Sequence, residues 1–170
     1  MSRCNMVLDI SKLINNEGSS IQISRDASFD RVEFNGQNIS FTSPMHLEGD
    51  IKNIDGLLYM VLSCNAGYVS QCSRCLAPVE SKLDFTIKEV FSKTELENEN
   101  DDVIILNSNE IDLKEIAEQA FCCALPITDL CSEDCKGLCP VCGCNLNHET
   151  CSCETDDIDP RLAALKDFLK

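Results

Sequence analysis

CSEDCKGLCPVCGCNLNHETCSC, residues 131–153, holds seven of the 13 cysteines of a 170-residue chain, with glycine at 137 and 143 and proline at 140. It has too few large apolar residues for a core of its own and neither helical nor strand periodicity, so it needs a bound metal to hold a shape. Within it, Cys139-Pro140-Val141-Cys142-Gly143 reads as a tight turn that aims two sulfurs at one ion. Gly143 accepts the left-handed backbone conformation often needed after the second cysteine of such a turn. Cys151-Ser152-Cys153 follows within ten residues, so Cys139, Cys142, Cys151 and Cys153 make a self-sufficient local set. Cys144 or His148 in place of Cys151 or Cys153 is the alternative pairing inside the tail.

Outside this stretch the other clean pair is Cys72-Ser73-Arg74-Cys75, which needs partners from elsewhere. Cys131 and Cys135, more than fifty residues on, are the nearest unassigned candidates. An ion held by Cys72, Cys75, Cys131 and Cys135 would clip the tail to the rest of the chain. Closing so long a loop is where a metal clip contributes most.

The cysteine count is odd, the pairs are close, and the opening MSRCNMVLDISKLINNEG has neither a continuous apolar run nor a small-residue cleavage site. These features point to a reducing, cytoplasmic setting in which thiols bind metal and do not form disulfides. Two zinc ions on eight thiolates are the leading assignment. An iron–sulfur cluster on four of the same sulfurs competes with it, because thiolates suit both metals. Cys135-x3-Cys139-x2-Cys142 also has radical-SAM spacing, but the chain is too short for the strand–helix barrel of that chemistry. His46 lies in a strand run and reads as a surface or packing residue.

Against 29 Asp and Glu stand 14 Lys and Arg, a formal net charge of -15. A polyanion gains little by approaching nucleic-acid phosphates, so direct RNA contact is disfavoured and basic partner surfaces are favoured. Arg74, Lys136 and Arg161 are the best places for a local phosphate contact, although the first two serve more simply to offset thiolate charge. No apolar stretch approaches the ~18 residues that span a bilayer. No Walker loop, G-x-G-x-x-G, serine elbow or HExxH helix is present. A thiol enzyme or redox sensor would have to use Cys4, Cys64, Cys122 or Cys123. Cys122 and Cys123 fall at the C-terminal end of a helix, the wrong end for a lowered pKa.

Hydrophobic residues make up 44% of the chain and aromatic residues 5%, so the core must be aliphatic. Ile21/Ile23, Val32/Phe34 and Ile39/Phe41 alternate with polar neighbours, the period of half-buried strands. Met45 to Ile51 reads as a further strand, Asp55-Gly56 as a hairpin turn, and Leu57–Leu62 as a central, continuously apolar strand. Asn65-Ala66-Gly67 predicts a turn into Tyr68-Val69, and Val79–Phe91 another strand. Ser92–Asp102 (SKTELENENDD) reads as an exposed acidic loop and Val103–Leu106 as a short strand. A helix over 112–124 is predicted from an Asp112/Glu115 capping box and an apolar face of Leu113, Ile116, Ala117, Ala120, Phe121 and Ala124. Asp159-Pro160 predicts a C-terminal helix with Leu162, Leu165 and Leu169 as its stripe. The expected class is α+β: an antiparallel sheet or partial barrel with a packed helix, a zinc-knuckle or ribbon tail and a C-terminal helix. The expected division is a β-rich core over 1–128 and a metal-binding tail over 129–170.

Leu130-Cys131-Ser132-Glu133-Asp134-Cys135-Lys136-Gly137-Leu138-Cys139-Pro140-Val141-Cys142-Gly143, then Asn145-Leu146-Asn147 and Asp159-Pro160-Arg161-Leu162, resemble the C-terminal half of the YceD family. Upstream, Cys72-Ser73-Arg74-Cys75-Leu76 resembles that family's Cys-x-Arg-Cys-Leu segment, and Ile111-Asp112-Leu113 with Leu125-Pro126 resembles its helix and exit. Cys144 departs from the small residue more usual there. The resemblance implies a cytoplasmic, non-enzymatic protein needed for accumulation of the large-subunit (23S) ribosomal RNA and for ribosome assembly. With the acidic surface, it implies a partner that is a ribosomal protein or a precursor of the large subunit. A redox sensor or iron–sulfur protein is the alternative.

Overall fold

The structure, a computed structural model, describes residues 6–94 and 103–153. Nine strands and two short helices run in the order β1 (Val7–Asp9), α1 (Ser11–Ile14), β2 (Ser20–Ala27), β3 (Arg31–Phe34), β4 (Gln37–Phe41), β5 (Met45–Ile54), β6 (Leu57–Gln71), β7 (Pro78–Ser92), β8 (Val103–Ile105), β9 (Glu110–Asp112) and α2 (Leu113–Ala124) among the described residues. Two compact units result, one from residues 6–70 and 79–127, the other from 71–78 and 128–153. The predicted helix after Asp159 and most of the acidic run before Asp102 lie outside the described residues.

The first unit is a seven-stranded sheet in the order β2-β5-β6-β4-β3, with β7 on β6 and β8 on β7. β2–β5, β3–β4, β4–β6 and β5–β6 pair antiparallel, whereas β7–β8 is parallel: Val90 pairs with Val103 and Ser92 with Ile105. The Asp55-Gly56 turn joins β5 to β6 in the register Ile54↔Leu57 to His46↔Asn65. Gly49 is required inside β5, because a Cβ there would run into the Val61 carbonyl oxygen.

The run Leu57–Leu62 is central in the sheet, as expected, with β5 along one edge. Leu58, Met60 and Leu62 point into the core, while Tyr59 is 38% and Val61 45% exposed. Antiparallel sheets leave one face to solvent, and here that face carries apolar residues too. The turn expected at Asn65-Ala66-Gly67 is corrected. The strand runs on and changes partner, pairing β5 up to Asn65 and β4 from Tyr68. Ala66, Gly67 and Tyr68 are buried in succession, and Thr42 sits where a Gly67 Cβ would be. Small residues there admit the crossing segment without reversing the chain.

Helix α2 forms as the capping pattern requires: the Asp112 carboxylate accepts from the Lys114 and Glu115 N–H groups at 2.8 and 3.4 Å. It ends at Ala124, one residue before the Leu125 that precedes Pro126. Leu113, Ala117 and Phe121 are buried, and Phe121 packs on Phe41, Tyr68 and Phe85 with ring centroids 4.8, 5.6 and 6.1 Å away. The N-terminal segment, unpredicted as structure, completes this core. β1 pairs antiparallel with β9, and Met6, Ile10 and Leu13 are buried. Buried Asn53 fastens it, its amide donating to the Leu13 carbonyl at 2.8 Å while its Oδ1 accepts from Gly56 N–H at 3.1 Å.

Candidate metal centres

The connection from β6 to β7, residues 72–77, is a cysteine knuckle. Cys72 N–H donates to the Ala77 carbonyl at 2.8 Å, and Leu76 N–H to the Cys72 carbonyl at 2.9 Å. Leu76 takes a left-handed φ of 61°. The turn at Cys139 repeats this pattern position for position: Cys139 N–H donates to the Cys144 carbonyl and Gly143 N–H to the Cys139 carbonyl, both at 2.9 Å, with Gly143 at φ 74°. Each turn points two thiols the same way, as the C-x2-C spacing predicts.

The structure brings Cys72, Cys75, Cys131 and Cys135 together, their sulfurs all within 4.8 Å of one another. Cys72 Sγ lies 3.8 Å from Cys135 Sγ, and Cys75 Sγ 3.6 Å from Cys131 Sγ. Cys72, Cys75 and Cys135 are buried and Cys131 is exposed. A second set is Cys139, Cys142, Cys144 and Cys151, again within 4.8 Å. Cys151 Sγ is 3.4 Å from Cys139 Sγ and 3.5 Å from Cys142 Sγ. Here Cys144 stands in the group of four. Cys153 lies beside it, outside the group of four, its N–H donating to Cys151 Sγ at 3.3 Å. His148 is exposed and belongs to neither set.

Both sets fit a tetrahedral ion. Zinc–sulfur bonds of about 2.3 Å give a tetrahedron with sulfur–sulfur edges of about 3.8 Å, close to the separations found. The electrostatics of the thiols agree. Burial opposes ionisation of Cys72, yet N–H groups of Cys131, Arg74 and Cys75 aimed at its sulfur bring it down to about 6. Bonds from Cys144, backbone first and then thiol, bring Cys142 to about 6. The later thiols resist. Hydrogen bonds to Cys135 and Cys75 push Cys131 up to about 12, Cys142 does the same to Cys144, and Cys151 with Cys142 to Cys153. Each set therefore starts to ionise readily and cannot finish without a cation to cancel the accumulated charge.

Two side chains that sequence reasoning left without this role hold the first set in place. Arg74 donates from Nη1 to the carbonyls of Cys135 at 2.8 Å and Glu133 at 3.2 Å, bracing the Cys131–Cys135 loop. Asn147 donates from Nδ2 to Cys135 Sγ at 3.3 Å and accepts on Oδ1 from Lys136 N–H at 2.8 Å. Outer-shell bonds of this kind orient metal ligands. The asparagines of Asn145-Leu146-Asn147 were the available signal, since Asn145 Oδ1 also caps Asn147 N–H at 3.0 Å in a tight turn.

Outside the two sets, the described thiols with a clear shift are held away from ionisation. Burial pushes Cys64 up to about 11, and burial with Glu118 and Cys123 raises Cys122. His46 Nδ1 is 2.7 Å from Asp26 Oδ1 on the exposed sheet face. No helix among the described residues is long and apolar enough to cross a membrane.

The model of the YceD family, large ribosomal RNA subunit accumulation protein YceD, matches residues 60–169, a span that takes in both cysteine sets. An uncharacterized protein of Mycobacterium leprae is 30% identical over 169 residues, covering 96% of this chain and 77% of its own length. An uncharacterized protein of Mycobacterium tuberculosis is 36% identical over 105 residues, 59% of this chain and 50% of that one. The uncharacterized protein YlbN of Bacillus subtilis is 33% identical over 101 residues, 58% of this chain and 59% of that one. No solved structure matches the chain. With well over half its length matched by the family model, the chain belongs to the YceD family of large ribosomal RNA subunit accumulation proteins.

Proposed function

We propose that this chain is a non-catalytic, zinc-stabilised factor for accumulation of the 23S ribosomal RNA. It acts in the cytoplasm by binding a basic ribosomal protein on a precursor of the large subunit. The observation that carries this reading is the family match, which runs continuously across both four-thiol sets. The charge of -15 supports a basic protein partner over naked RNA. Arg74 supports the same choice, because its guanidinium bonds to backbone carbonyls of its own unit. A single ion such as zinc is favoured over an iron–sulfur cluster because the four sulfurs of each set lie within 4.8 Å of one another, the spacing of a tetrahedron around one ion.

The test is sedimentation of the tagged chain from cells growing in the cold, where assembly intermediates accumulate. The chain is expected to travel with large-subunit precursors and to leave them as salt is raised, since attraction between exposed charges is screened within about 8 Å at physiological ionic strength. A chain found only among free proteins in those gradients would overturn the reading.

A further inference from the structure

The two knuckles share one hydrogen-bond pattern, and this exposes what the second has in excess. Five residues after its first cysteine, at the carbonyl that closes the turn, the first knuckle carries Ala77 and the second carries Cys144. The turn therefore forms without a thiol at that position, yet the Cys144 sulfur lies within 4.8 Å of those of Cys139, Cys142 and Cys151. Cys153 stands beside this group, its N–H donating to Cys151 Sγ at 3.3 Å, and so brings a fifth thiol next to a set of four, where a tetrahedral ion takes four.

We infer that the second centre is a five-thiol site in which Cys139, Cys142 and Cys151 hold a thiophilic divalent ion while Cys144 and Cys153 exchange in the fourth place. The inference rests on the metal-binding reading above. Exchange replaces one thiolate by another, so the ion keeps four sulfur donors and the same charge. The incoming thiol gives up its proton as its metal–sulfur bond forms, and the departing thiolate takes one up as its bond breaks. Solvent can carry that proton, because Cys142 is exposed, Cys144, Cys151 and Cys153 are half-buried, and only Cys139 is buried. A replacement donor at hand lets the ion change ligands without leaving. The first centre has four thiols, three of them buried, and no such spare among the described residues.

The experiment uses the full chain loaded with zinc, with Cys144→Ser, Cys153→Ser and the double variant beside it. Bound metal per chain is measured, and native thiols are labelled with N-ethylmaleimide and mapped by peptide mass. Wild type and both single variants are expected to hold two ions and the double variant one. In wild type the label should divide between Cys144 and Cys153, and each single variant should protect the thiol that remains. Loss of an ion from either single variant overturns the inference, as does retention of two by the double variant. If the double variant fails to fold, the wild-type label decides: on both positions it supports exchange, on one alone it refutes it. A wild-type chain holding fewer than two ions removes the metal-binding reading itself and this inference with it.

Discussion

The two cysteine knuckles are the same turn put to different use. The Cys72 turn collects its other two sulfurs from Cys131 and Cys135, more than fifty residues along the chain. The Cys139 turn finds all its partners before residue 154. An ion in the first centre therefore closes a long loop and joins the two segments of the second unit, 71–78 and 128–153. An ion in the second only organises a short local stretch. The surroundings follow the same division. The first set is mostly buried and braced by Arg74 and Asn147, while the second is mostly half-buried, with only Cys139 fully covered. The same turn would thus serve a structural clip in one place and, as proposed, an exchangeable site in the other.

Cys72→Ala tests this most severely. Structural zinc contributes on the order of 10 kcal/mol, so the variant should lose one ion and the protection of the backbone amides of residues 71–78 against hydrogen exchange. The Cys144→Ser/Cys153→Ser double variant should also lose one ion yet leave residues 71–78 protected. Equal deprotection in both variants would show that the centres are not separable.

Acid and alkali should separate the units in turn. Metal is lost as pH falls, because protons compete for the thiolates. The sheet fails from the other side. Cys64, 3% exposed, is raised by burial from 9.0 to about 11, so it stays protonated in the fold above the pH at which the unfolded chain ionises. Its contribution is complete below pH 9 and disappears as pH rises towards about 11, a loss of about 2 kcal/mol. Urea unfolding of the sheet in wild type and Cys64→Ala at pH 8 and 10.5 measures this. Wild type should lose stability between the two and the variant should not.

Asn147→Leu probes the brace. Removing the N–H···S bond to Cys135 should weaken metal binding at the first centre by about tenfold, at the low end of outer-shell effects, and leave the second unchanged. Competition with a chromogenic chelator reads both. Equal weakening of the two centres would mean that Asn147 shapes the whole tail and not one ligand.

What could be read from the sequence was what short-range chemistry dictates. The C-x2-C spacing specified both turns, the Asp112 cap and apolar spacing specified α2, and Asp55-Gly56 specified its hairpin. Readings failed where long-range partners decide. Asn65-Ala66-Gly67 looks like a turn locally, but Thr42 passing alongside makes it strand. β1 and α1 are too short to show a period, and Asn53, which fastens them, lies forty residues away in the sequence. In the metal sites, spacing specified which cysteines form turns. Which of Cys144 and Cys153 sits closest depends on how the chain returns after His148, and no local pattern encodes that.

The smallest expected effect bears on the turn itself. Leu76 and Gly143 occupy equivalent places, both at positive φ, and Leu76 is 57% exposed. A left-handed conformation costs a residue with a Cβ about 1 kcal/mol or somewhat more. Leu76→Gly should relieve that strain with little packing lost, but glycine also gains freedom in the unfolded chain, which offsets part of the benefit. The net expectation is a gain of about 0.5 kcal/mol, read as a higher chelator concentration needed to empty the first centre. Gly143→Leu, the reciprocal change, should lower the corresponding midpoint at the second. Opposite shifts at the two centres would mean that the turns are equivalent in energy as well as in shape. If Leu76→Gly lowers the midpoint instead, the Leu76 side chain makes a contact worth more than the strain it imposes, and the first knuckle is tuned by something the second lacks.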